Sequence, residues 1–317
     1  MFMMEEFSQN GIGFVQKQPV RPSIEHRIAS LPAPSTAIVL DRNRVTYQQH
    51  TMTDLTGKRA IISGATRGIG RGTAIELASA GAEVVVNYRA AEDSDAADEV
   101  VARCLEAGGK AHKIQADFAR QSEIEALIEQ SVQTMGGLDI AVSNAVYSDR
   151  QRFTEQDFDQ FRKTIEVSMM GAYYFVRAAA QAMISGGTGG SMVVIGSLHA
   201  HTAIPGAMAY NMAKAANNQM AKTAACELAE YGIRVNLIHP GWIDTPGERK
   251  FFNEQTLQQR GAALPFGRLG TPQDIGRGVV YLCDPNSEYI TGTTLTIDGG
   301  IGLPWRELYR LDEKPPS

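Results

Sequence analysis

Ser63-Gly64-Ala65-Thr66-Arg67-Gly68-Ile69-Gly70 is a glycine-rich turn that joins an apolar run to the start of a helical pattern. Backbone N–H groups point outward at such a helix N-terminus, and the helix dipole favours a bound anion such as a pyrophosphate. Gly64 allows the sharp turn, Gly68 lets the backbone approach the ligand, and Gly70 lets the helix meet the strand. The turn therefore predicts a dinucleotide site, with a tight turn that binds nothing as the alternative.

Apolar runs and helical patterns alternate on both sides of this turn. Several runs are unbroken Val and Ile, which is typical of strands buried on both faces of a parallel sheet. Repeated strand–helix units predict a doubly wound α/β fold of the Rossmann type. Two helix starts have predicted caps, Ser122 with Glu125 and Thr271 with Pro272 at N1. The predicted strands are residues 60–63, 84–88, 113–116, 139–143, 192–196, 235–238 and 294–297.

The 317 residues suffice for one large domain, which the alternating pattern places at residues 53–303. Residues 1–52 are interrupted by prolines and show no sustained apolar period, so we predict a flexible extension. This extension is either an arm that covers a partner or a leader from a start site placed too early. Met52 directly precedes the regular pattern and favours the leader. Residues 304–317 are predicted to form an irregular tail.

Composition narrows the class of protein. Apolar residues make up 43% and charged residues 21%, and the net charge is −5 with both signs interspersed. Without a basic stripe, a polybasic run or a membrane-length apolar run, neither nucleic acid nor a membrane is an expected partner. The start of the chain lacks the features of a secretion signal. Cys104, Cys226 and Cys283 form no CxxC pair and no metal-ligand cluster, so we predict no metal, thiols in a reducing compartment and a cytoplasmic location.

The end of the second predicted strand bears on the choice of cofactor. It reads Val86-Asn87-Tyr88-Arg89 and lacks the acidic residue that would bind a ribose 2′-hydroxyl and repel a 2′-phosphate. Arg89 and Arg67 can both donate charge-assisted hydrogen bonds to a 2′-phosphate, which favours NADP(H) over NAD(H). Two solvated arginines are the alternative. Glu92 and Asp93 follow closely, so we expect modest discrimination and retain NAD(H) as the second cofactor.

Three residues form a candidate catalytic group. Tyr210 and Lys214 lie four apart in a helical segment and so share a face, and Ser197 follows the strand at 192–196. To act near neutral pH as an acid and base, a tyrosine of pKa about 10 needs a shift of roughly three units, which is about 4 kcal/mol. A lysine ammonium about 4 Å away supplies on the order of 4 kcal/mol at an effective dielectric near 20. We therefore expect Lys214 to lower the pKa of Tyr210, and Ser197 to polarise the substrate oxygen.

The order of the motifs along the chain carries a family resemblance. They are Ser63-Gly-x-x-x-Gly-x-Gly70, Asn144-Ala145, Ser197, Tyr210-x-x-x-Lys214, Pro240-Gly241 and Asp298-Gly299-Gly300. Residues 53–303 thereby resemble the short-chain dehydrogenase/reductase family, including its bacterial glucose 1-dehydrogenases and 3-oxoacyl-carrier-protein reductases. The resemblance implies a seven-stranded parallel sheet, a homotetramer or homodimer, and NAD(P)(H)-dependent interconversion of a secondary alcohol and a carbonyl. It leaves a sugar, a polyol or a 3-oxoacyl compound as substrate.

The resemblance also implies roles for individual residues. Tyr210 is the acid/base, Lys214 also binds the nicotinamide ribose, and Ser197 orients the substrate. Asp117 contacts adenine, and residues 242–268 match a mobile segment that covers the substrate. The nicotinamide end is held by Pro240, Gly241, Ile243 and Thr245. The other predicted cofactor contacts are Ser63, Gly64, Thr66, Arg67, Gly68, Ile69, Gly70, Tyr88, Arg89, Phe118, Asn144 and Ala145.

Three positions depart from the family pattern. Ser63 replaces a threonine and keeps the hydroxyl, and Val146 replaces a glycine. Ser168 stands where the family has an asparagine, its fourth catalytic residue, which is linked to a proton-relay water. Two hypotheses follow: an active enzyme with a weakened or rebuilt relay, or a cofactor-binding redox sensor without turnover. The intact Ser197 and its two partners favour the enzyme.

A few side chains offer clues to the substrate. His199 and His201 either border the substrate pocket or face solvent. Arg150 and Arg152 follow the Asn144 loop and are candidates to meet an anionic substrate. Trp242 either covers the nicotinamide pocket or packs within the segment that covers the substrate.

Overall fold

The computed structural model describes residues 53–303, so the predicted extension and tail lie outside the described residues. Seven parallel strands form one sheet in the order β3-β2-β1-β4-β5-β6-β7, which confirms the predicted doubly wound fold. Each predicted strand is present, and the largest difference is at β3, which begins at Lys110 and not at residue 113. The strands are β1 Arg59–Ile62, β2 Glu83–Tyr88, β3 Lys110–Gln115, β4 Ile140–Ser143, β5 Gly190–Ile195, β6 Ile233–Pro240 and β7 Thr294–Ile297.

Helices follow the strands and cover both faces of the sheet. They are α1 Gly68–Ser79, α2 Ser94–Glu106, α3 Gln121–Met135, α4 Phe158–Ile165, α5 Gly171–Gly186, α6 Met208–Leu228, α7 Glu254–Ala262 and α8 Pro272–Cys283. A single π-helical turn, Glu166–Met170, joins α4 to α5. Successive strand residues face opposite sides, so Ile62 packs in one buried cluster with α1 and α8, whereas Ile61 packs in another with α3 and α5. Burial on both faces explains why the inner strands β1, β2 and β4 are rich in consecutive apolar residues.

Helix α8 begins as the sequence predicts. Thr271 and Asp274 form a capping box, and Pro272 occupies the first turn. The helix packs so closely on α1 that a Cβ on Gly72 would lie 2.6 Å from the Pro272 Cβ. The start of α8 is therefore fixed both by its cap and by its contact with the helix that follows the glycine turn.

The predicted capping box of Ser122 and Glu125 is wrong. Helix α3 already begins at Gln121, and no side chain caps it. The preceding turn is closed instead by Asp117, whose Oδ1 accepts from the backbone N of Ala119 at 3.0 Å. The helix therefore begins two residues earlier than a cap at Ser122 requires, so Ser122 lies inside the first turn and cannot cap it.

The cysteines differ in exposure. Cys104 and Cys283 are buried and Cys226 is exposed, and all three are free thiols. Between residues 53 and 303, no group of three or more His, Cys, Asp or Glu side chains could hold a metal ion. No helix in that range is long and apolar enough to cross a bilayer.

Candidate active site

The glycine turn after β1 has the backbone geometry that its sequence predicts. Gly64 and Gly68 have φ values of +59° and +54°, in the left-handed region that favours glycine. A Cβ on Gly70 would lie 2.5 Å from the Gly64 carbonyl oxygen and 2.6 Å from Asn144 Nδ2. No side chain fits in that space, so the N-terminus of α1 lies directly against the ends of β1 and β4.

Asn87, near the end of β2, holds this turn in place. Its Oδ1 accepts from the Gly64 backbone N at 2.9 Å, and its Nδ2 donates to the Ala116 carbonyl oxygen at 3.2 Å. The side chain is 1% exposed, so its hydrogen bonds form away from water. Sequence reasoning missed this role, although an amide inside a run of buried valines is a signal, because a buried amide needs partners.

Ser63 ties the turn to the end of β4. Its Oγ accepts from the backbone N of Asn144 at 2.8 Å and of Ala145 at 3.0 Å. Asn144 Nδ2 in turn donates to the carbonyl oxygens of Ser63 and Gly64, at 2.9 and 3.0 Å. The hydroxyl that Ser63 shares with threonine is the group that this network uses.

Ser197, Tyr210 and Lys214 come together at the other side of the sheet edge. Ser197 follows β5, and its hydroxyl lies near enough to the Tyr210 phenol, at the start of α6, to lower the pKa of that phenol. Lys214, one turn further along α6, is 2% exposed, and its Nζ donates to the Ile195 carbonyl oxygen at 2.6 Å. The ammonium lies 5.5 Å from the centre of the Tyr210 ring.

The predicted lowering of the Tyr210 pKa is wrong. Loss of solvent around the phenol raises the pKa of Tyr210 to about 12, and this effect exceeds the opposing hydrogen bond from Ser197. Burial also lowers the pKa of Lys214 to about 7, so the ammonium is only partly charged near neutral pH. The sequence shows that a cation is near but not that both groups lose their water, and desolvation dominates here.

A single cavity of about 960 Å³ runs along the carboxyl edge of the sheet and joins these two regions. Ligands of doubly wound folds bind at this edge. The predicted contacts that line it are Gly64, Arg67, Gly68, Ile69, Arg89, Asp117, Phe118, Asn144, Ala145, Tyr210, Lys214, Pro240, Gly241, Ile243 and Thr245. Four predicted cofactor contacts do not line the cavity, namely Ser63, Thr66, Gly70 and Tyr88. Tyr88 packs against the core, and the Lys113 ammonium lies 5.7 Å from its ring centre.

Comparison with known proteins places the chain among enzymes. A family profile described as Enoyl-(Acyl carrier protein) reductase matches residues 64–302. An L-rhamnose 1-dehydrogenase (NAD(P)(+)) of Sphingomonas sp. is 34% identical over 78% of this chain and 97% of that protein. A 3-oxoacyl-[acyl-carrier-protein] reductase of Synechocystis sp. is 34% identical over 79% of this chain and 99% of that protein.

A solved structure resembles this chain in both fold and sequence. A short-chain type dehydrogenase/reductase from Mycobacterium marinum superposes with a TM-score of 0.74 and 34% identity, covering 79% of this chain and 98% of that one. The chain belongs to the short-chain dehydrogenase/reductase family. It is an oxidoreductase that acts on CH–OH groups, as the resemblance implied.

In this short-chain dehydrogenase/reductase, both the side chain and the backbone of Ser168 form hydrogen bonds. Ser168 lies in the π-helical turn, where its Oγ donates to the Tyr147 carbonyl oxygen at 2.6 Å and accepts from the Tyr147 backbone N at 2.8 Å. Asn217 on α6 donates from Nδ2 to the Ser168 carbonyl oxygen at 2.8 Å, a contact that sequence reasoning missed. An amide therefore reaches this turn from a neighbouring helix. The redox-sensor hypothesis, which rested on Ser168 and Val146, is not favoured, because the relatives of this chain are dehydrogenases and reductases.

The two arginines predicted to bind a 2′-phosphate converge on one carboxylate. Arg67 Nη2 and Arg89 Nη2 lie 3.5 and 3.6 Å from the two oxygens of Asp93. Arg89 also lies 3.4 Å from Glu92 Oε1. Both arginines are more than half exposed, so these pairs are weak and the guanidinium groups can reorient toward a ligand.

The two histidines after Ser197, His199 and His201, lie in different surroundings. His199 lines the cavity, its ring 5.2 Å from the Tyr210 ring and its Nδ1 2.7 Å from Asn211 Oδ1. Burial lowers the pKa of His199, so its imidazole is neutral near pH 7. His201 does not line the cavity and stacks on His239 at 5.2 Å. His199 therefore borders the pocket as one hypothesis expected, and His201 does not.

Residues 242–268 form one wall of the cavity. Trp242 donates from Nε1 to Glu248 Oε2 at 2.8 Å and meets Phe252 edge to face at 5.3 Å. Trp242 thus packs within the segment while also lining the cavity. The stem of the segment is closed by a bridge between Ile243 and Gly270.

Proposed function

We propose that this enzyme interconverts a secondary alcohol and a carbonyl with NADP(H) as preferred cofactor and Tyr210 as acid/base. The observation that carries the proposal is the single cavity, with the glycine turn at one end and Ser197, Tyr210 and Lys214 at the other. The chain's residues fit a dinucleotide because the turn presents backbone N–H groups at a helix N-terminus and leaves no room for side chains. Thr245 faces Gly68 across this part of the cavity, where a Cβ on Gly68 would lie 3.3 Å from Thr245 Cγ2.

Reduction uses Tyr210 as a proton donor. With a pKa of about 12 the phenol is protonated at neutral pH, so its Oη can give a proton to the carbonyl oxygen of the substrate. Ser197, whose hydroxyl lies beside the phenol, is placed to orient the same oxygen. Lys214 Nζ donates to the Ile195 carbonyl oxygen, and Lys214 would also hold the nicotinamide ribose of a bound cofactor. When bound, the nicotinamide would supply or accept the hydride.

The cofactor preference rests on Arg67 and Arg89. A 2′-phosphate that displaced Asp93 would receive charge-assisted hydrogen bonds from both guanidinium groups. Asp93 remains nearby and opposes the added negative charge, so we infer a preference of modest size and use of NAD(H) as well. Relatives that use either cofactor, such as the L-rhamnose dehydrogenase, are consistent with this inference. A sugar, a polyol or a 3-oxoacyl compound is the proposed substrate class.

The test is turnover followed at 340 nm with NADP(H) and NAD(H), in both directions, against sugars, polyols, small ketones and short 3-oxoacyl thioesters. Loss of the acid/base in Tyr210→Phe should lower kcat by about 10²–10⁴-fold while NADPH still binds. Tyr231→Phe is the matched control, because Tyr231 is 46% exposed and lies outside the cavity. Unchanged turnover in Tyr210→Phe would refute the role proposed for the phenol.

A further inference from the structure

The substrate end of the cavity is lined by several cations. Arg150, Lys163, Lys250 and Arg260 line it, and Glu248 is the acidic residue among the described residues at that end. Asp93 and Asp117 also line the cavity, but they lie at the ends of β2 and β3 on the cofactor side. The part of the cavity that receives the substrate therefore has an excess of positive charge.

Arg150 is the most enclosed of these cations. Its residue is partly buried, and its guanidinium carbon lies 4.4 Å from the ring centre of Phe251 and 5.7 Å from that of Phe252. The aromatic faces hold the guanidinium plane in position. Within residues 53–303 this guanidinium makes no ion pair and no hydrogen bond, and only the backbone N of Arg150 donates, to Asp149. Burying a cation without a paired carboxylate costs free energy, and a bound ligand with a negative charge would offset that cost.

Two arginines of residues 242–268 that do not line this cavity are paired with carboxylates. Arg249 lies 2.7 Å from Asp244 and 3.0 Å from Glu254. Arg268 lies 2.8 Å from Asp274. Arg150 differs from these two in being partly buried and in having no carboxylate partner among the described residues.

Arg150 acts on the reacting groups. Its positive charge lowers the pKa of Tyr210 and of His199, although burial is the larger influence on both. Both residues line the same cavity as Arg150. A substrate whose oxygen meets Tyr210 therefore has Arg150 within reach of its remaining atoms.

We infer that the substrate carries an anionic group, a carboxylate or a phosphate, that binds the guanidinium of Arg150. This inference rests on the proposed function, because it assumes that the substrate occupies this cavity. The planar donor fork of arginine matches the oxygens of either anion. Arg152, the other candidate from the sequence, is exposed and does not line the cavity, so it has no part in binding.

The experiment compares charged and neutral substrates of one carbon skeleton. Acetoacetate is paired with methyl acetoacetate, and dihydroxyacetone phosphate with dihydroxyacetone, in the full-length enzyme with NADPH. Arg150→Gln should lower kcat/KM for the anionic member of the preferred pair by about 10–100-fold, the size of a lost hydrogen bond to a charged group. The neutral member should change less than about 3-fold, and Arg152→Gln, the matched control, should change neither. The pair that shows the effect identifies the anion.

Equal losses for the charged and neutral members, or a wild-type preference for the neutral member in both pairs, would overturn the inference. A second readout separates this failure from failure of the proposed function. In NADP⁺-loaded Tyr210→Phe protein, quenching of tryptophan fluorescence reports binding of each anion without turnover. Anion binding that is lost in the Arg150→Gln/Tyr210→Phe protein supports the inference even if Tyr210 proves dispensable. Turnover of neutral alcohols that is independent of Arg150 supports the proposed function alone.

Discussion

The two ends of the cavity are built by different means. The glycine turn at the cofactor end consists of backbone and short polar side chains, with Gly64, Ser63 and Asn87 joined in one buried hydrogen-bond network. The substrate end consists of long side chains from residues 242–268 and from the loop after β4, such as Arg150 and Trp242. A ligand approached by backbone demands particular residues at particular places, whereas long side chains can change without disturbing the sheet. The cofactor end can therefore be recognised from a sequence motif, whereas the substrate end cannot.

Lys214 lies one turn after Tyr210 along α6 and is almost fully buried, and its replacement should have the largest effect on stability. Its pKa is about 7 in the folded enzyme against an ordinary 10.5, so the folded state binds fewer protons than the unfolded state between these values. Wild-type stability should consequently rise with pH through this window. A shift of this size corresponds to about 5 kcal/mol of destabilisation below pH 7.

Lys214→Met removes that cost together with the hydrogen bond to Ile195. Urea unfolding of both proteins from pH 6 to pH 10.5 should show the mutant gaining up to about 5 kcal/mol relative to wild type at the acidic end. Because the remaining titrating groups are shared, their effects largely cancel in the difference. A difference that is constant across this range would show that the ammonium of Lys214 is not desolvated.

Gly70→Ala tests whether the cofactor end tolerates any side chain. The added Cβ would lie 2.5 Å from the Gly64 carbonyl oxygen, so the turn must shift, at a cost of about 1–3 kcal/mol. We expect weaker NADPH binding, by about 5–150-fold if that cost falls on the binding geometry. Titration of NADPH fluorescence measures it. Gly186→Ala is the control, since its backbone is helical and a methyl group added there would meet no atom of another element within 4 Å.

Asp93→Asn should have the smallest effect. Removing the carboxylate that pairs with Arg67 and Arg89 should raise the kcat/KM ratio of NADPH over NADH by less than about 10-fold, because exposed ion pairs contribute about 0–1 kcal/mol. Glu106→Gln, which removes the exposed partner of Arg103, serves as the control. A ratio that moves toward NADH would contradict the phosphate-binding role of the two arginines.

The sequence predicted those parts of the fold that depend on local pattern. Several strands followed from unbroken apolar runs, and the glycine turn followed from backbone geometry that other residues cannot adopt. The predicted cap at Ser122 was wrong because the helix already begins at Gln121 without a side-chain cap, so no capping residue marks its start in the sequence. Asn87 and Asn217 were missed because their partners are backbone atoms far away in the chain. The predicted direction of the Tyr210 pKa shift was wrong because desolvation depends on how the folded chain excludes water.

The bridge between Ile243 and Gly270 has a consequence for how this enzyme can diversify. The Gly270 backbone N donates to the Trp242 carbonyl oxygen at 2.9 Å, and the Asp244 backbone N donates to the Gly270 carbonyl oxygen at 2.8 Å. Residues 242–268 therefore leave the fold after β6 and return to it before α8 at nearly the same point. A peptide anchored in this way can be lengthened, shortened or exchanged as a cassette while β6 and α8 stay in place. New substrate selectivity can arise by exchange of the residues beyond Thr245, while Ser197, Tyr210 and Lys214 stay in place.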